Sequence, residues 1–335
     1  MKVTLKDIAR EAKVSQGTAS LALNNRLGVN EETRQRVLAI AQKNGYQPSL
    51  NAKNLSQKRS NLIGLLIPNI RNLFYASIVQ EIENALRDKH YKMILATTAN
   101  NEQYEKEMIE QFVSFRVDGV ILYPTIKDIQ NPYYLDILRK NGIPLIFLAG
   151  YYRTVEAPHC MSDLHTALRE VVEHMYLQGY RSFRYFGGCK AIVSNQIKIH
   201  AIREALAIHD IEFSDDHYIA LEHTNFECAC KAAEELLKEG IEFDAAITGD
   251  AYSGFGVYSA LIHAGKKVPQ DVGIAHMDNL IKPDICILPM TCIEQDVKDM
   301  VRFTLDMLID SIEGKYPVHS RLIPAKLIIR ESTLR

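Results

Sequence analysis

Few groupings in this chain have the residue types and spacing for covalent chemistry. In "GDAYSGFG", residues 249–256, Ser253 sits among glycines, but Ala251 stands where a nucleophile elbow needs glycine. The chain has no GxxxxGK[ST] loop and no GxGxxG after its first apolar strand. The six cysteines, at 160, 189, 228, 230, 286 and 292, include no CxxC pair and read as reduced, buried thiols. The eleven histidines form no HExxH, so neither a metal site nor a cofactor is expected. A different chemistry is offered by "VSQGTASLALN", residues 14–24. Ser15 is a strong helix N-cap, and the helix that follows presents Gln16, Gly17, Thr18, Ser20 and Leu21 outward. Gln16 can make a bidentate contact with adenine. Thr18 and Ser20 can reach bases or phosphates singly, and Leu21 can touch only a thymine methyl or a sugar. Gly17 removes a second reading side chain and costs up to about 1 kcal/mol of helix propensity.

Those residues need a rigid support, and the flanking sequence supplies one. Thr4 and Asp7 form a capping-box pattern that starts a first helix over about 5–12, carrying Ile8, Ala9 and Ala12 at helical spacing. Lys13 and Val14 make a short turn before the Ser15 cap, and Val14 can staple onto Ala19. Ala19, Ala22 and Leu23 face inward. A third helix starts at Asn30, carries Glu31 and Glu32 in its first turn, buries Val37, Ile40 and Ala41, and ends at Gly45. Residues 1–60 hold eleven Lys or Arg against four acids, a net +7 that leaves −9 for the rest of a chain of net charge −2. A basic three-helix headpiece of this pattern is a helix-turn-helix unit whose second helix enters a DNA major groove.

From Leu62 onward, apolar runs alternate with helical periods. Strands are expected at 62–67, 92–96, 119–123, 144–148, 183–186, 218–221, 244–248 and 272–275. Amphipathic helices are expected near 74–90, 102–116, 132–141, 163–179, 197–209, 226–239, 252–264 and 294–313. Repeated βα units with fully apolar strands imply doubly wound parallel sheets. So many strands imply two Rossmann-like lobes with a ligand cleft at the strand carboxyl ends. The first residues lead straight into a capped helix, and no apolar run approaches the roughly 18 residues that span a bilayer, so a cytoplasmic location is expected.

"TLKDIAREAKVSQGTASLALNN" (4–25) and "YQPSLNAKNLSQKRSNLIGLLIP" (46–68) together resemble the lac repressor, or LacI/GalR, family of bacterial transcription regulators. "FYASIVQEIENALRDKHYKMILATTANN", "RVDGVILYP", "TGDAYSGFGVYSALIHAGKKVPQDVGIAHMDN" and "LIIRESTLR" extend the resemblance over the whole chain. It implies a headpiece over 1–48, a hinge helix or linker over 49–60, and a two-lobed core over 61–335 like the type I periplasmic sugar-binding proteins. The N-lobe would span about 61–160 and 293–321 and the C-lobe about 163–290 and 324–335, with crossings near 160–163, 290–293 and 320–324.

The resemblance also implies site residues. On DNA these are Thr4, Ser15, Gln16, Gly17, Thr18, Ser20, Leu21 and Asn24 in the headpiece, with Asn51, Ala52, Lys53 and Leu55 in the hinge. Leu55 would wedge into the minor groove, its unstacking cost of a few kcal/mol offset by contacts that the kinked duplex allows. In the cleft, Phe74, Tyr75, Thr125, Lys198 (at a helix start) and Asp250 would hold an effector. Lys198 replaces an arginine found in many members and so lacks the bidentate fork, and Ala149 replaces a frequent carboxylate. The expected function is a repressor acting as a homodimer or higher assembly on a palindromic double-stranded operator, controlled by a small effector. A sugar or sugar phosphate leads the ligand classes, with a nucleobase or a partner protein as alternatives. Whether the effector induces or co-represses stays open, and an enzyme on the same scaffold is the rival class.

Overall fold

The computed structural model describes residues 3–46, 59–124, 132–279, 288–315 and 318–335. The chain divides into two compact units, Met1–Ser60 and Asn61–Arg335. Among the described residues no helix is long and apolar enough to cross a membrane.

The first unit holds α1 (Leu5–Glu11), α2 (Gln16–Leu23) and α3 (Glu31–Lys43). Thr4 accepts from the Asp7 amide while the Asp7 carboxylate accepts from the Thr4 amide, closing the expected capping box. These bonds to Thr4 hold the Asp7 carboxyl below its ordinary range. Lys13 takes a left-handed backbone, φ 54°, which lets the chain turn between α1 and α2 within a few residues. Ser15 Oγ accepts from the Thr18 amide at 3.0 Å, and Asn30 Oδ1 from the Thr33 amide at 2.8 Å. Ile8, Ala9, Ala12, Ala19, Ala22, Val37 and Ala41 form the buried centre. Leu23 and Ile40, expected inside, are only half-buried at its rim, because alanines bring the helices together before the longer side chains are covered.

The second unit contains two six-stranded sheets. The first has the order β11-β5-β4-β3-β1-β2, with β1 Leu62–Ile67, β2 Lys92–Thr97, β3 Gly119–Leu122, β4 Leu145–Leu148, β5 His159–Ser162 and β11 Arg321–Ile323. The second has the order β12-β10-β9-β8-β6-β7, with β6 Phe183–Gly187, β7 Tyr218–Ala220, β8 Ala245–Thr248, β9 Gly273–Met277, β10 Thr291–Gln295 and β12 Ala325–Ile328. Strand β12 pairs antiparallel with β10, and the other pairings are parallel.

Helices cover both faces of each sheet, as fully apolar strands such as LIGLLI require. On the first sheet, α4 (Leu73–Asp88) and α11 (Val297–Ile312) bury Ile78, Ile82, Val301 and Leu305 against Ile63, Leu65, Ile121 and Ile146. Its other face carries α5 (Glu102–Ser114) and α6 (Asp136–Lys140). On the second sheet, α7 (Leu164–Leu177) and α8 (Val193–Ala207) cover one face, and α9 (Phe226–Lys238) and α10 (Ala251–His263) the other.

Strands β5, β10, β11 and β12 were not among those expected from the sequence. The expected crossings fall at or beside them: Asp163 and Pro324 lie within the expected 160–163 and 320–324, and only the middle crossing comes later in the chain. Residues 291–295 lie in the second sheet, so the chain leaves that lobe after Gln295 rather than near 290–293. Each passage is one residue long: Asp163 between β5 and α7, Asp296 between β10 and α11, Pro324 between β11 and β12. Asp163 caps α7 through the Thr166 amide, Asp296 caps α11 through the Asp299 amide, and the Asp163 amide donates to the Ile323 carbonyl at 2.8 Å.

Candidate functional site

Two candidate surfaces arise, one in each unit. On the headpiece, Thr4, Ser15, Gln16 and Gly17 are exposed. Thr18, Ser20 and Leu21, expected to face outward, are half-buried, as is Asn24, and three of these four have local partners. Thr18 Oγ1 lies 2.9 Å from Ser15 Oγ, and Asn24 Nδ2 donates to the Ser20 carbonyl at 2.9 Å. Gln16 is thus the long polar side chain that α2 leaves exposed with its amide unengaged by any hydrogen bond among the described residues. Asn51, Ala52, Lys53 and Leu55, with the expected hinge helix, lie outside the described residues.

In the second unit a cleft of about 640 Å³ opens between the two sheets. It is lined from the ends of many elements. Phe74 and Tyr75 come from the start of α4, Tyr123 follows β3, Asn195 and Lys198 come from α8, Asp250 follows β8, Asp278 follows β9, and Gln295 ends β10. These are strand carboxyl ends and helix starts from both lobes, where doubly wound sheets place ligands. Of the five expected cleft residues, Phe74, Tyr75, Lys198 and Asp250 meet here, and Thr125 lies outside the described residues. Lys198, expected at a helix start, stands in the second turn of α8.

The aromatic wall is a cluster of three rings. Tyr75 and Tyr123 meet edge to face with centroids 4.9 Å apart, and Phe74 packs edge-on against them at 6.1 and 6.5 Å. Burial raises the Tyr75 hydroxyl well above its ordinary range, so it stays a neutral donor and acceptor.

The polar wall is acidic. Asp250 caps α10 through Oδ1, which accepts from the Ser253 amide at 2.7 Å. Its buried Oδ2 has no hydrogen bond of ordinary distance and angle, although the Ser253 and Thr224 hydroxyls favour the charged form. Burial nevertheless pushes the Asp250 carboxyl up. Asp278 Oδ1 accepts from Gln295 Nε2 at 2.6 Å, and burial, with Asp250 nearby, raises the Asp278 carboxyl to about 7. Burial depresses Lys198, and the charges of Asp278 and Asp250 partly restore it. Asn195 Nδ2 is held by the Cys189 carbonyl at 3.0 Å.

Such a site presents acceptors, a cation and an aromatic face at once, which suits a ligand rich in hydroxyls with one apolar side. Tyr123, Asn195, Asp278 and Gln295 were missed from the sequence. The carboxyl-end rule would have found Tyr123 and Asp278, each the first residue after an apolar strand.

Two family models match. "Bacterial regulatory proteins, lacI family" covers residues 4–49, and "Periplasmic binding proteins and sugar binding domain of LacI family" covers residues 60–331. The HTH-type transcriptional repressor CytR of Escherichia coli strain K12 is 29% identical over 332 residues, spanning 98% of this chain and 96% of that one. The ribose operon repressor of Halalkalibacterium halodurans is 27% identical, spanning 98% and 97%. Among solved structures, the lac repressor dimer bound to operator and the anti-inducer ONPF superposes with a TM-score of 0.87 at 22% identity over 100% of both chains. The complex of the transcriptional regulator CelR with cellobiose gives 0.73 at 23% identity, over 98% of this chain and 99% of that one. With one model matched on the headpiece and the other on the two-lobed unit, the chain belongs to the LacI family of bacterial regulatory proteins, DNA-binding regulators of transcription rather than enzymes.

Proposed function

We propose that this chain is an operator-binding repressor whose affinity for DNA is set by a small hydroxylated effector held in the cleft of the second unit. The observation that carries the reading is the pairing, within one cleft, of the Phe74, Tyr75 and Tyr123 rings with the buried Asp250 and Asp278 carboxyls and the half-buried Lys198 amine. Stacking surface and charged hydrogen-bond partners together favour a sugar, and a nucleobase uses the same two features. The relatives named for ribose and bound to cellobiose support the sugar.

On DNA, Gln16 reads a base edge, Thr4, Ser15, Gly17, Thr18, Ser20, Leu21 and Asn24 lie along the backbone or the groove, and Asn51, Ala52, Lys53 and Leu55 form the minor-groove hinge. The division into a headpiece of 1–48, a hinge of 49–60 and a core of 61–335 belongs to the same proposal, as does a cytoplasmic homodimer on a two-fold operator. Effector and operator then share a coupling free energy, and each changes the affinity for the other by the same factor.

The test is selection of bound sequences from a random DNA pool, followed by a screen of sugars, sugar phosphates and nucleobases for release or tightening of the selected duplex. A palindrome and one responding ligand class are expected. Recovery of no sequence preference would sink the repressor reading, and a response to no small molecule would sink the effector reading.

A further inference from the structure

Away from the cleft, two helices bring three metal-ligating side chains to one point. His165 stands in the first turn of α7, and His200 and Glu204 stand four residues apart on α8, on one face of that helix. His165 Nε2 lies 3.0 Å from Glu204 Oε2, and His200 Nε2 lies 3.5 Å from the same oxygen. One donor atom from each of the three residues can be chosen so that all lie within 4.8 Å of one another. Zinc bonds of about 2.0–2.1 Å in a tetrahedron put neighbouring ligand atoms about 3.3 Å apart, so the two measured edges already bracket that of a zinc site.

A plain surface ion-pair network is the competing account. An ion-pair network needs no two cations on one oxygen, whereas here both imidazole nitrogens converge on Oε2 while Arg169 faces Oε1 at 3.9 Å. That division gathers both nitrogens at the oxygen that would serve as a ligand while Oε1 keeps its own partner, the kind of support that metal-bound carboxylates have. The framework is rigid as well. Leu164 and Leu168 of α7 and Ala201, Ile202 and Ala205 of α8 are buried in one core cluster, so the ligands sit on packed helices rather than on loops. The three side chains are 35%, 72% and 42% exposed, so the cluster is open to solvent.

We propose that His165, His200 and Glu204 form a binding site for one divalent transition-metal ion of the zinc class, with water in the fourth position. Imidazole nitrogens with a carboxylate suit Zn²⁺, and also Co²⁺ or Ni²⁺, rather than Ca²⁺ or Mg²⁺, which take oxygen ligands. No local motif joins His165 to the α8 pair, so the site is hidden from sequence patterns; packing of α7 on α8 makes it. The ion would fasten α7 to the same helix that carries Lys198 into the cleft.

The test uses the full chain, stripped of metal and free of any histidine tag. Zinc binding is followed by calorimetry, and tetrahedral coordination by the visible absorption of added Co²⁺. One equivalent is expected to bind, and His165→Ala and Glu204→Gln are each expected to weaken it by at least about 10-fold. His209→Ala removes a histidine paired with Glu173 elsewhere on the surface, and leaves binding unchanged. Because all three ligands are at least a third exposed, the metal-free variants keep the thermal midpoint of the parent. No zinc binding by the stripped parent chain, or equal binding by the parent and both ligand variants, overturns the proposal.

Discussion

Gln295 donates its side-chain amide to Asp278 Oδ1 at 2.6 Å, joining the last residue of β10 to the residue that follows β9. Asp278 takes a left-handed backbone, φ 75°, and this bond fixes which way its carboxylate points into the cleft. Gln295→Ala is expected to weaken binding of the effector found by screening about 10-fold, with a stability cost of only about 1 kcal/mol for one lost hydrogen bond. Calorimetry on the variant checks this; an unchanged Kd removes Gln295 from the site.

A second carboxylate gives the protein a pH signature. Glu105 of α5 is fully buried, accepts from the hydroxyls of Tyr134 at 2.7 Å and Tyr152 at 3.0 Å, and is raised by burial to about 7. The folded chain therefore keeps a proton that the unfolded chain releases near the ordinary carboxyl value of 4.5. Stability should be greatest below that value and fall as pH rises through about 7. Asp278, raised for the same reason, contributes with the same sign. Urea unfolding followed by circular dichroism is expected to show a declining midpoint from about pH 5 to about pH 8. Glu105→Gln flattens part of the slope, and a slope as steep as the parent's would contradict this account.

The sequence made some features plain and hid others, for physical reasons. Thr4, Ser15 and Asn30 are caps whose effect is confined to one turn of helix, and each caps the helix expected of it. Wholly apolar runs such as those of β1 and β8 stand out because both faces are buried. Strand β5, HCMS, and strand β11, RLI, are too short and too polar to be told from a linker, and become strands only through the neighbours they pair with. The cleft was half legible. Phe74, Tyr75, Lys198 and Asp250 followed from resemblance, whereas Gln295 needed the strand that no pattern showed.

Helices α9 and α10 pack so closely at Gly256 that an added Cβ would lie 2.3 Å from the Phe226 carbonyl oxygen and 2.9 Å from the Cys230 amide nitrogen. Backbone atoms cannot yield as a flexible side chain can. Gly256→Ala is expected to cost about 1–3 kcal/mol despite the better helix propensity of alanine. Thermal unfolding of the variant decides it, and a raised midpoint would show that the helices can part.

Gln16 carries the direct readout in the proposed complex. Gln16→Ala is expected to relax base preference at one position of each half-site, a bidentate contact being worth about 1–3 kcal/mol of discrimination. Sequence selection repeated on the variant tests it, and an unchanged consensus assigns the reading to another residue.

Leu55→Ala bears on the other half of the complex. Loss of the wedge is expected to weaken operator binding and reduce the bend of the duplex, read by fluorescence energy transfer across the site. A bend angle equal to the parent's would remove Leu55 from the minor groove.

Asp163, Asp296 and Pro324 are each the whole of a passage between lobes. A connection of one residue has little slack, so a ligand that draws the cleft shut is expected to turn the lobes about these passages rather than slide one across the other. Displacement in a turn grows with distance from the axis. A closure of the cleft is therefore magnified at the lobe surfaces farthest from these passages, and a molecule held by a handful of side chains gains leverage over the full breadth of the second unit.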